Sequence, residues 1–233
     1  MKTSTIVGIV VVLIVAVLGI YFLMHKTALA PTTPSITGAS TTPLAAGQIA
    51  GRPQTLKTTS GISINYYADT YGLAVNQTQM PKASVIPACN QGFDYCFYRV
   101  ASDYANTNFE SAGLALAERT DLKTKQTCLT TAPDGYTNLV ASTTDQGTFA
   151  TSAFGPLSDA GAGHYSSGAQ YRLWTGSTCE QFTMQIGETQ FANYPAGTKQ
   201  EFTAQDLGSV KAELNSLLFD AKLNGTKVKF PGI

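Results

Sequence analysis

The longest apolar stretch of the chain runs from Ile6 to Met24 and contains no charged or amide side chain. As a helix, its 19 residues rise about 1.5 Å each and cover roughly 28 Å, close to the hydrocarbon thickness of a bilayer. A helix also satisfies every backbone polar group internally, which lipid requires. The pattern therefore predicts a single transmembrane helix, and we assign residues 1–26 as a membrane anchor.

A secretory signal peptide is the alternative interpretation of the same stretch. Ala28-Leu29-Ala30 has the small-x-small pattern of a cleavage site, so cleavage after Ala30 stays open. The apolar run is longer than the roughly 7–15 residues of a signal-peptide core, and Pro31 would follow the cut. Both features favour a retained anchor.

Residues 27–60 are rich in Thr, Ser, Pro, Ala and Gly, and only Arg52 and Lys57 are charged. A segment of this composition buries too little apolar surface to fold, so we predict a flexible stalk. Such a stalk lifts a domain away from a membrane, which favours an extracytoplasmic domain at residues 61–233. A cytoplasmic linker is the alternative.

Short strands are predicted in the remaining domain, because apolar and polar residues alternate in several places. The clearest single strand is Ile62-Ser63-Ile64-Asn65-Tyr66, the pattern of a half-buried strand. Further strand candidates are 73–75, 95–100, 111–117 and 147–154. Asp121 is predicted to cap a short helix that extends to Leu129.

A hairpin is predicted from Gly168 to Gly187, since Gly176-Ser177 fits a two-residue turn. This register places Tyr171 opposite Phe182 on one face, and Trp174 opposite Cys179 on the other. The second face also carries Arg172 and Gln181, so we expect another part of the chain to cover it.

A helix is predicted after Thr203-Ala204-Gln205-Asp206, which has the pattern of a capping box with Asp in place of Glu. One apolar stripe follows at helical spacing; its members are Leu207, Val210, Leu214, Leu217, Leu218 and Ala221. Asn224-Gly225 is predicted to end this helix.

The four cysteines, Cys89, Cys96, Cys128 and Cys179, all lie in the domain. An even number in an exported domain predicts two disulfides. Cys89 and Cys96 enclose only six residues, so we predict that they pair locally and leave Cys128 with Cys179. Free buried cysteines are the alternative. No Cys-x-x-Cys pair occurs, and no histidine has metal-ligand spacing to a cysteine, so we predict no metal site.

Charge and motifs exclude several functions. Lys and Arg number 15, as do Asp and Glu, and charged residues form 13% of the chain; with no basic patch, we predict no nucleic-acid binding. No phosphate loop, Gly-x-Ser-x-Gly elbow or His-Glu-x-x-His motif occurs, so no cofactor is predicted. The chemically versatile residues His164, Tyr165, Arg172 and Trp174 are candidates for ligand binding.

Carboxylate pairs of the glycosidase kind are also available, as Glu110 with Glu118 or Asp94 with Glu180, although their spacing does not establish either pair. Thr124-Lys125-Gln126-Thr127-Cys128 resembles the Thr-Leu-x-Thr-Cys sequence of sortases, with Lys in place of Leu. The catalytic histidine of sortases precedes their cysteine, and no domain histidine precedes Cys128. We therefore predict no catalytic residue.

Two further segments resemble PsbP/Mog1-like domains. Tyr66-Tyr67-Ala68-Asp69-Thr70-Tyr71-Gly72-Leu73-Ala74-Val75 is similar to their opening, where a Tyr-Gly dipeptide joins two strands. Leu217-Leu218-Phe219-Asp220-Ala221-Lys222-Leu223 is similar to their terminal helix. The resemblance would cover about residues 62–230, but not the cysteines. It implies an α+β fold, with a central antiparallel sheet and helices packed on it, and usually a non-catalytic accessory role.

Together these features predict a single-pass membrane protein of the cell envelope, with an α+β domain on a flexible stalk. We expect a binding or accessory module that contacts the membrane through residues 6–24 and binds an envelope protein or a glycan. A cell-wall-directed hydrolase or transpeptidase is the alternative, and a structural subunit of a surface fibre is a second one.

Overall fold

The computed structural model describes residues 53–81, 86–90 and 92–233, all within one compact unit. The predicted anchor at 1–26, the cleavage site after Ala30 and most of the predicted linker at 27–60 lie outside these residues. None of the helices in the described part of the chain has the length and apolar character needed to cross a bilayer.

The described residues contain eleven strands in two sheets, and neighbouring strands within each sheet are antiparallel. The smaller sheet has the order β1 (Pro53–Lys57), β2 (Ile62–Tyr67), β10 (Lys222–Leu223), β11 (Thr226–Lys227). The larger sheet has the order β3 (Gly72–Ala74), β4 (Tyr95–Val100), β5 (Phe109–Glu118), β9 (Cys179–Thr189), β8 (His164–Trp174), β7 (Ala150–Gly161), β6 (Ser142–Asp145).

The described helices are α1 (Lys125–Thr130), α2 (Ala204–Phe219) and four 3-10 turns at Gln77–Gln79, Pro87–Cys89, Ala101–Tyr104 and Phe191–Asn193. The Thr203 side chain accepts from the Asp206 backbone N–H and the Asp206 side chain accepts from the Thr203 N–H, so the predicted capping box is confirmed. Val210, Leu214, Leu217 and Leu218 form the buried stripe of α2.

The main core lies between one face of the larger sheet, here called the inner face, and the layer formed by β2 and α2. Alternation in β2 buries Ile62, Ile64 and Tyr66, as the sequence pattern predicts. Phe182 and Tyr171 lie opposite each other on the inner face, and both pack edge-on against Phe230. The predicted hairpin register is confirmed, including Trp174 opposite Cys179.

The predicted α+β fold class is wrong, because the domain is mostly β-sheet. The strands that change the class are β6, the part of β7 after the predicted strand 147–154, and the first part of β8, which contain many Ser, Thr, Gly and Ala residues. Much of β7 and of the first part of β8 is exposed, so these segments lack the apolar alternation that identifies a half-buried strand. Against this sheet, α2 is the one long helix of the described residues.

Three local predictions also differ from the structure. Asn224-Gly225 does not end a helix: α2 ends at Phe219, and both residues have positive φ, 49° and 83°, in the turn between β10 and β11. Asn-Gly is the preferred dipeptide of such two-residue hairpin turns. Helix α1 begins at Lys125 with Thr124 as its cap, not at Asp121. Strand β1 lies within the predicted linker, because it pairs with β2 and buries Leu56.

The β7–β8 hairpin extends beyond its neighbour β6. Strand β6 pairs only with Ala150–Ala153 of β7, whereas β7 continues to Gly161. The pairing with β8 shifts register between Phe154 and Leu157, where Pro156 interrupts the ladder. The outer edge of β7 beyond this shift pairs with no strand among the described residues.

Candidate functional site

Polar side chains are concentrated on the second face of the larger sheet, here called the outer face. On β9, Gln181, Thr183 and Gln185 alternate with the inner-face residues Phe182, Met184 and Ile186. Pairing places Gln170 of β8 opposite Thr183, and Arg172 opposite Gln181. Because side chains on one face recur every second residue, these five polar residues point to the same side.

A first cover lies on the outer face and consists of Ile86 and the 3-10 turn Pro87–Cys89. It sits over β5 and β9, where a Cβ at Gly113 would come within 2.8 Å of Ile86 and 3.3 Å of Cys89 Sγ. Glycine at 113 therefore permits this close approach. The disulfide Cys89–Cys96 joins the turn to β4, with the two Cα atoms 6.1 Å apart.

A second cover consists of α1 and the loop 131–135. The disulfide Cys128–Cys179 joins α1 to β9, with the Cα atoms 5.6 Å apart. Leu129, Ala150 and Trp174 pack around this bridge. The predicted pairing of the four cysteines is confirmed, and so is the expectation that another part of the chain covers the Arg172 face.

A cleft of about 280 Å³ lies between the two covers. Its floor is formed by the outer-face residues Ala115, Ala117, Gln170, Gln181, Thr183 and Gln185. Pro87, Ala88 and Gly92 form the wall at the first cover, and Arg119, Pro133 and Asp134 form the opposite wall. Along β9, Gln181 and Gln185 are four residues apart, so the floor between the walls is roughly 13 Å long.

Arg172 is fully buried beneath the second cover. Its Nη1 donates to the carbonyl oxygens of Cys128 at 3.1 Å and Thr131 at 2.5 Å, and its guanidinium lies 4.8 Å from the centre of the Phe154 ring. No carboxylate of the described residues lies within ion-pairing distance of it. Burial, with a smaller contribution from Arg119, lowers the pKa of Arg172 to about 10, so the side chain stays charged at neutral pH.

Arg119 lies at the edge of the cleft and is paired. Its Nε and Nη2 donate to the two carboxylate oxygens of Asp121 at 2.9 and 2.8 Å, and its Nη1 donates to Gln181 Oε1 at 2.7 Å. The hydrogen bond from Arg119 lowers the pKa of Asp121 to about 2. Asp134 approaches Nη2 at 3.8 Å, and its side chain is 82% exposed at the rim.

The two arginines also orient the glutamine side chains of the floor. With its amide turned so that the oxygen faces donors, Gln170 accepts from Nε and Nη2 of Arg172 at 3.2 Å each, and from Gln181 Nε2 at 3.2 Å. Gln181 Nε2 also donates to Thr183 Oγ1 at 3.2 Å. Gln181 therefore connects Arg119, Gln170 and Thr183 in one hydrogen-bonded network along the floor.

The cleft offers hydrogen bonds and charge, with Thr183 as the one hydroxyl and Asp134 as the one carboxylate among its described lining residues. Among its described lining residues there is no Ser, Cys, His or Glu, and Cys128 is held in its disulfide. A hydroxyl nucleophile needs a base beside it, and the described lining provides no histidine for Thr183. Across the described part of the chain, no three His, Cys, Asp or Glu side chains are grouped as metal ligands.

The four residues predicted to bind ligand do not form one site. His164 and Tyr165 begin β8, whereas Arg172 and Trp174 lie roughly 30 Å further along the strand. His164 is exposed, with Nδ1 3.1 Å from Glu110 Oε2, and Tyr165 is 40% exposed. Arg172 and Trp174 meet under the second cover, and of the four only Arg172 contacts the floor of the cleft.

The predicted carboxylate pairs have different outcomes. Glu110 and Glu118 lie near opposite ends of β5 and do not meet. Asp94 and Glu180 line the same small pocket of about 140 Å³, together with Glu118. Burial raises the pKa of Glu180, which accepts a hydrogen bond from Thr178 Oγ1 at 3.3 Å.

Sequence reasoning missed the floor residues Gln170, Thr183 and Gln185 and the wall residue Arg119. A usable signal was present, because Gln181, Thr183 and Gln185 occupy alternate positions on a face for which a cover was already predicted. Three hydrogen-bonding side chains in a row on a covered face indicate either a polar network or a ligand site.

Comparison with family models, with curated proteins and with solved structures finds no match to this chain. The resemblance to PsbP/Mog1-like domains therefore stays an expectation from the sequence. The function has to be inferred from the geometry of the cleft.

Proposed function

We propose that this chain is a non-enzymatic binding module of the cell envelope, which holds part of an envelope protein or a glycan in the cleft. The observation that carries the proposal is the hydrogen-bonded polar floor between two covers, each joined to the sheet by a disulfide. A concave site with a few convergent polar groups is the usual form of a ligand site.

The two disulfides support an oxidising, and hence extracytoplasmic, compartment for the domain. Attachment to a membrane through residues 6–24 is part of the proposal and rests on the sequence alone. A membrane-impermeant protease added to intact cells, or to spheroplasts where an outer membrane exists, should remove the domain. Full protection in intact cells, with digestion after lysis as the control, would contradict this location.

Binding is tested by screening the full-length protein, in a mild detergent, against envelope peptides and glycans. Ala117→Phe puts a ring into the cleft and should abolish binding of every ligand found. The matched control, Ala160→Phe, puts the same ring on the exposed end of β7 and should leave binding unchanged. Ligands that bind Ala117→Phe as tightly as the unmodified protein would place binding elsewhere and refute the proposal.

The alternative function, a cell-wall-directed hydrolase, is favoured by one observation, the shared pocket of Asp94, Glu118 and Glu180. A buried carboxyl with a raised pKa is suited to donate a proton to a leaving group. Incubation with peptidoglycan fragments tests this alternative, since Glu180→Gln should abolish turnover in a folded protein. Absence of any turnover by the unmodified protein would exclude it.

A further inference from the structure

We infer that the cleft binds the carboxyl-terminal end of an extended peptide, with the terminal carboxylate at the Arg119 wall. The inference rests on the proposed binding function and specifies its ligand. It follows from three properties of the cleft: the hydrogen-bonding polarity of its floor, its charge and its spacing.

The floor presents hydrogen-bond donors. With the Gln170 oxygen directed at Arg172, its amide nitrogen faces acceptors of the protein, so the donors left for a ligand belong to Thr183 and Gln185. Thr183 Oγ1 already accepts from Gln181, so its O–H remains able to donate. The Gln185 amide makes no side-chain hydrogen bond to another described residue. A floor with these donors is suited to a ligand that brings acceptors.

The charge of the cleft favours an anionic acceptor. Asp121 holds the Nε and Nη2 edge of Arg119, which compensates that guanidinium. Arg172 has only neutral oxygens as partners, and a buried charge without a counterion is costly. The Arg172 and Arg119 charges repel each other, so a carboxylate at the Arg119 wall would compensate the one positive charge of this pair that Asp121 does not.

The spacing of the floor fits an extended peptide. Gln181, Thr183 and Gln185 follow one another at roughly 6.6 Å, two residues of a strand. The backbone polar groups on one side of an extended peptide recur at the same interval, so a peptide lying along β9 meets one floor side chain for every two of its own residues. Capture of a terminal carboxylate is an established way of recognising peptides.

The cleft length limits how much of the peptide is held. The roughly 13 Å between the walls corresponds to about four extended residues. Small side chains are expected on these residues, because the cleft has a volume of about 280 Å³. The chain would leave over Gly92, where a Cβ would meet open space.

The experiment follows the side-chain amide signals of full-length protein labelled with 15N-glutamine. The probe is acetyl-Ala-Ala-Ala with a free carboxylate, and its matched control is the same peptide with a carboxamide. We expect the acid to shift the Gln170, Gln181 and Gln185 signals saturably, and the carboxamide to bind at least about tenfold more weakly, because charge-assisted hydrogen bonds are the stronger ones.

Two variants sharpen the test. Asp134→Asn removes the negative charge at the rim and should tighten binding of the acid roughly twofold to fivefold at low salt, with a smaller gain at high salt. Asp69→Asn removes an exposed carboxylate in the turn after β2 and should leave binding unchanged. Arg119→Gln should remove the preference for the acid over the carboxamide.

The outcomes separate this inference from the proposed function. Equal affinity for the acid and the carboxamide would overturn recognition of the terminal carboxylate, although the cleft would still be a binding site. Glucuronate carries a carboxylate on a sugar. If it shifts the same glutamine signals and binds as tightly as the acid, the assignment of a peptide as the ligand is overturned. No shift of any floor glutamine with any of these probes would overturn the inference altogether, whereas the proposed function fails only if ligands from the screen bind Ala117→Phe unchanged.

Discussion

Removing the Cys128–Cys179 bridge should destabilise the domain more than removing the Cys89–Cys96 bridge. The first bridge closes a loop with a sequence separation of 51 residues and the second one of 7. In the chain-entropy account, these separations correspond to about 4 and about 2.4 kcal/mol. The expected difference between the two free energies of unfolding is therefore roughly 1.7 kcal/mol.

The comparison is clean because the other contributions nearly cancel. Cys89, Cys96 and Cys128 are fully buried, and Cys179 is 1% exposed, so Cys89→Ala/Cys96→Ala and Cys128→Ala/Cys179→Ala remove similar buried volumes. For a domain of this size, the Cys128→Ala/Cys179→Ala variant should have a melting temperature roughly 3–7 °C below that of the Cys89→Ala/Cys96→Ala variant. As an internal check, Cys128→Ser and Cys179→Ser should lose the same stability, since each breaks the same bridge.

Guanidinium unfolding followed by circular dichroism measures the difference in free energy of unfolding, and thermal unfolding measures the difference in melting temperature. Equal denaturant slopes for the two double variants establish that their unfolded states are comparable. Mass spectrometry of the unmodified protein should first find no free thiol. Equal midpoints for the two double variants, or a lower one for Cys89/Cys96, would refute the loop-entropy reasoning. Loss of activity with full stability in Cys128→Ser alone would identify a nucleophile instead.

Three further predictions concern single side chains. Thr203→Ala removes the acceptor for the Asp206 N–H and should cost about 1 kcal/mol in chemical denaturation, and an unchanged midpoint would contradict this. Arg172→Met leaves the Cys128 and Thr131 carbonyls without this donor and should lower the free energy of unfolding by at least about 2 kcal/mol. Amide exchange in α1 should become faster, and unchanged exchange would contradict the role of Arg172 in holding this helix. Because burial raises the pKa of Glu180, the folded state holds its proton more tightly than the unfolded state. Stability is then lost as pH rises from the unfolded pKa through the folded pKa. Glu180→Gln should therefore raise the melting temperature more at pH 7 than at pH 4. An equal gain at both pH values would refute the raised pKa of Glu180.

The elements that can be predicted from the sequence are those that a single local pattern determines, such as apolar alternation or a capping box. Alternation in Ile62–Tyr67 and in the β8–β9 hairpin reflects one buried face, and the Thr203 capping box is a contact within four residues. The small Cys89–Cys96 spacing likewise limits the pairing. In each case the physical cause lies in neighbouring positions, so the pattern is visible without the fold.

The missed features depend on distant parts of the chain. Residues 150–154 lie within a predicted strand, but β7 continues to Gly161 because β8 supplies a partner there, and no apolar pattern of its own marks this second part. Asn224-Gly225 fits the end of a helix as well as a tight hairpin, and only the pairing of Leu223 with Thr226 decides between them. The cleft was missed because it exists only where two covers from residues 86–89 and 125–135 meet a strand at 181–185.

The unpaired outer edge of β7 bears on self-association. An open strand edge is a template on which another copy of a protein can add a strand, and proline or charge on the edge prevents this. Pro156 has no N–H to offer an incoming strand, Tyr136 Oη occupies the Ser158 carbonyl at 3.1 Å, and Asp159 adds a charge nearby. This edge therefore resists the edge-to-edge polymerisation by which a surface fibre would grow from the larger sheet.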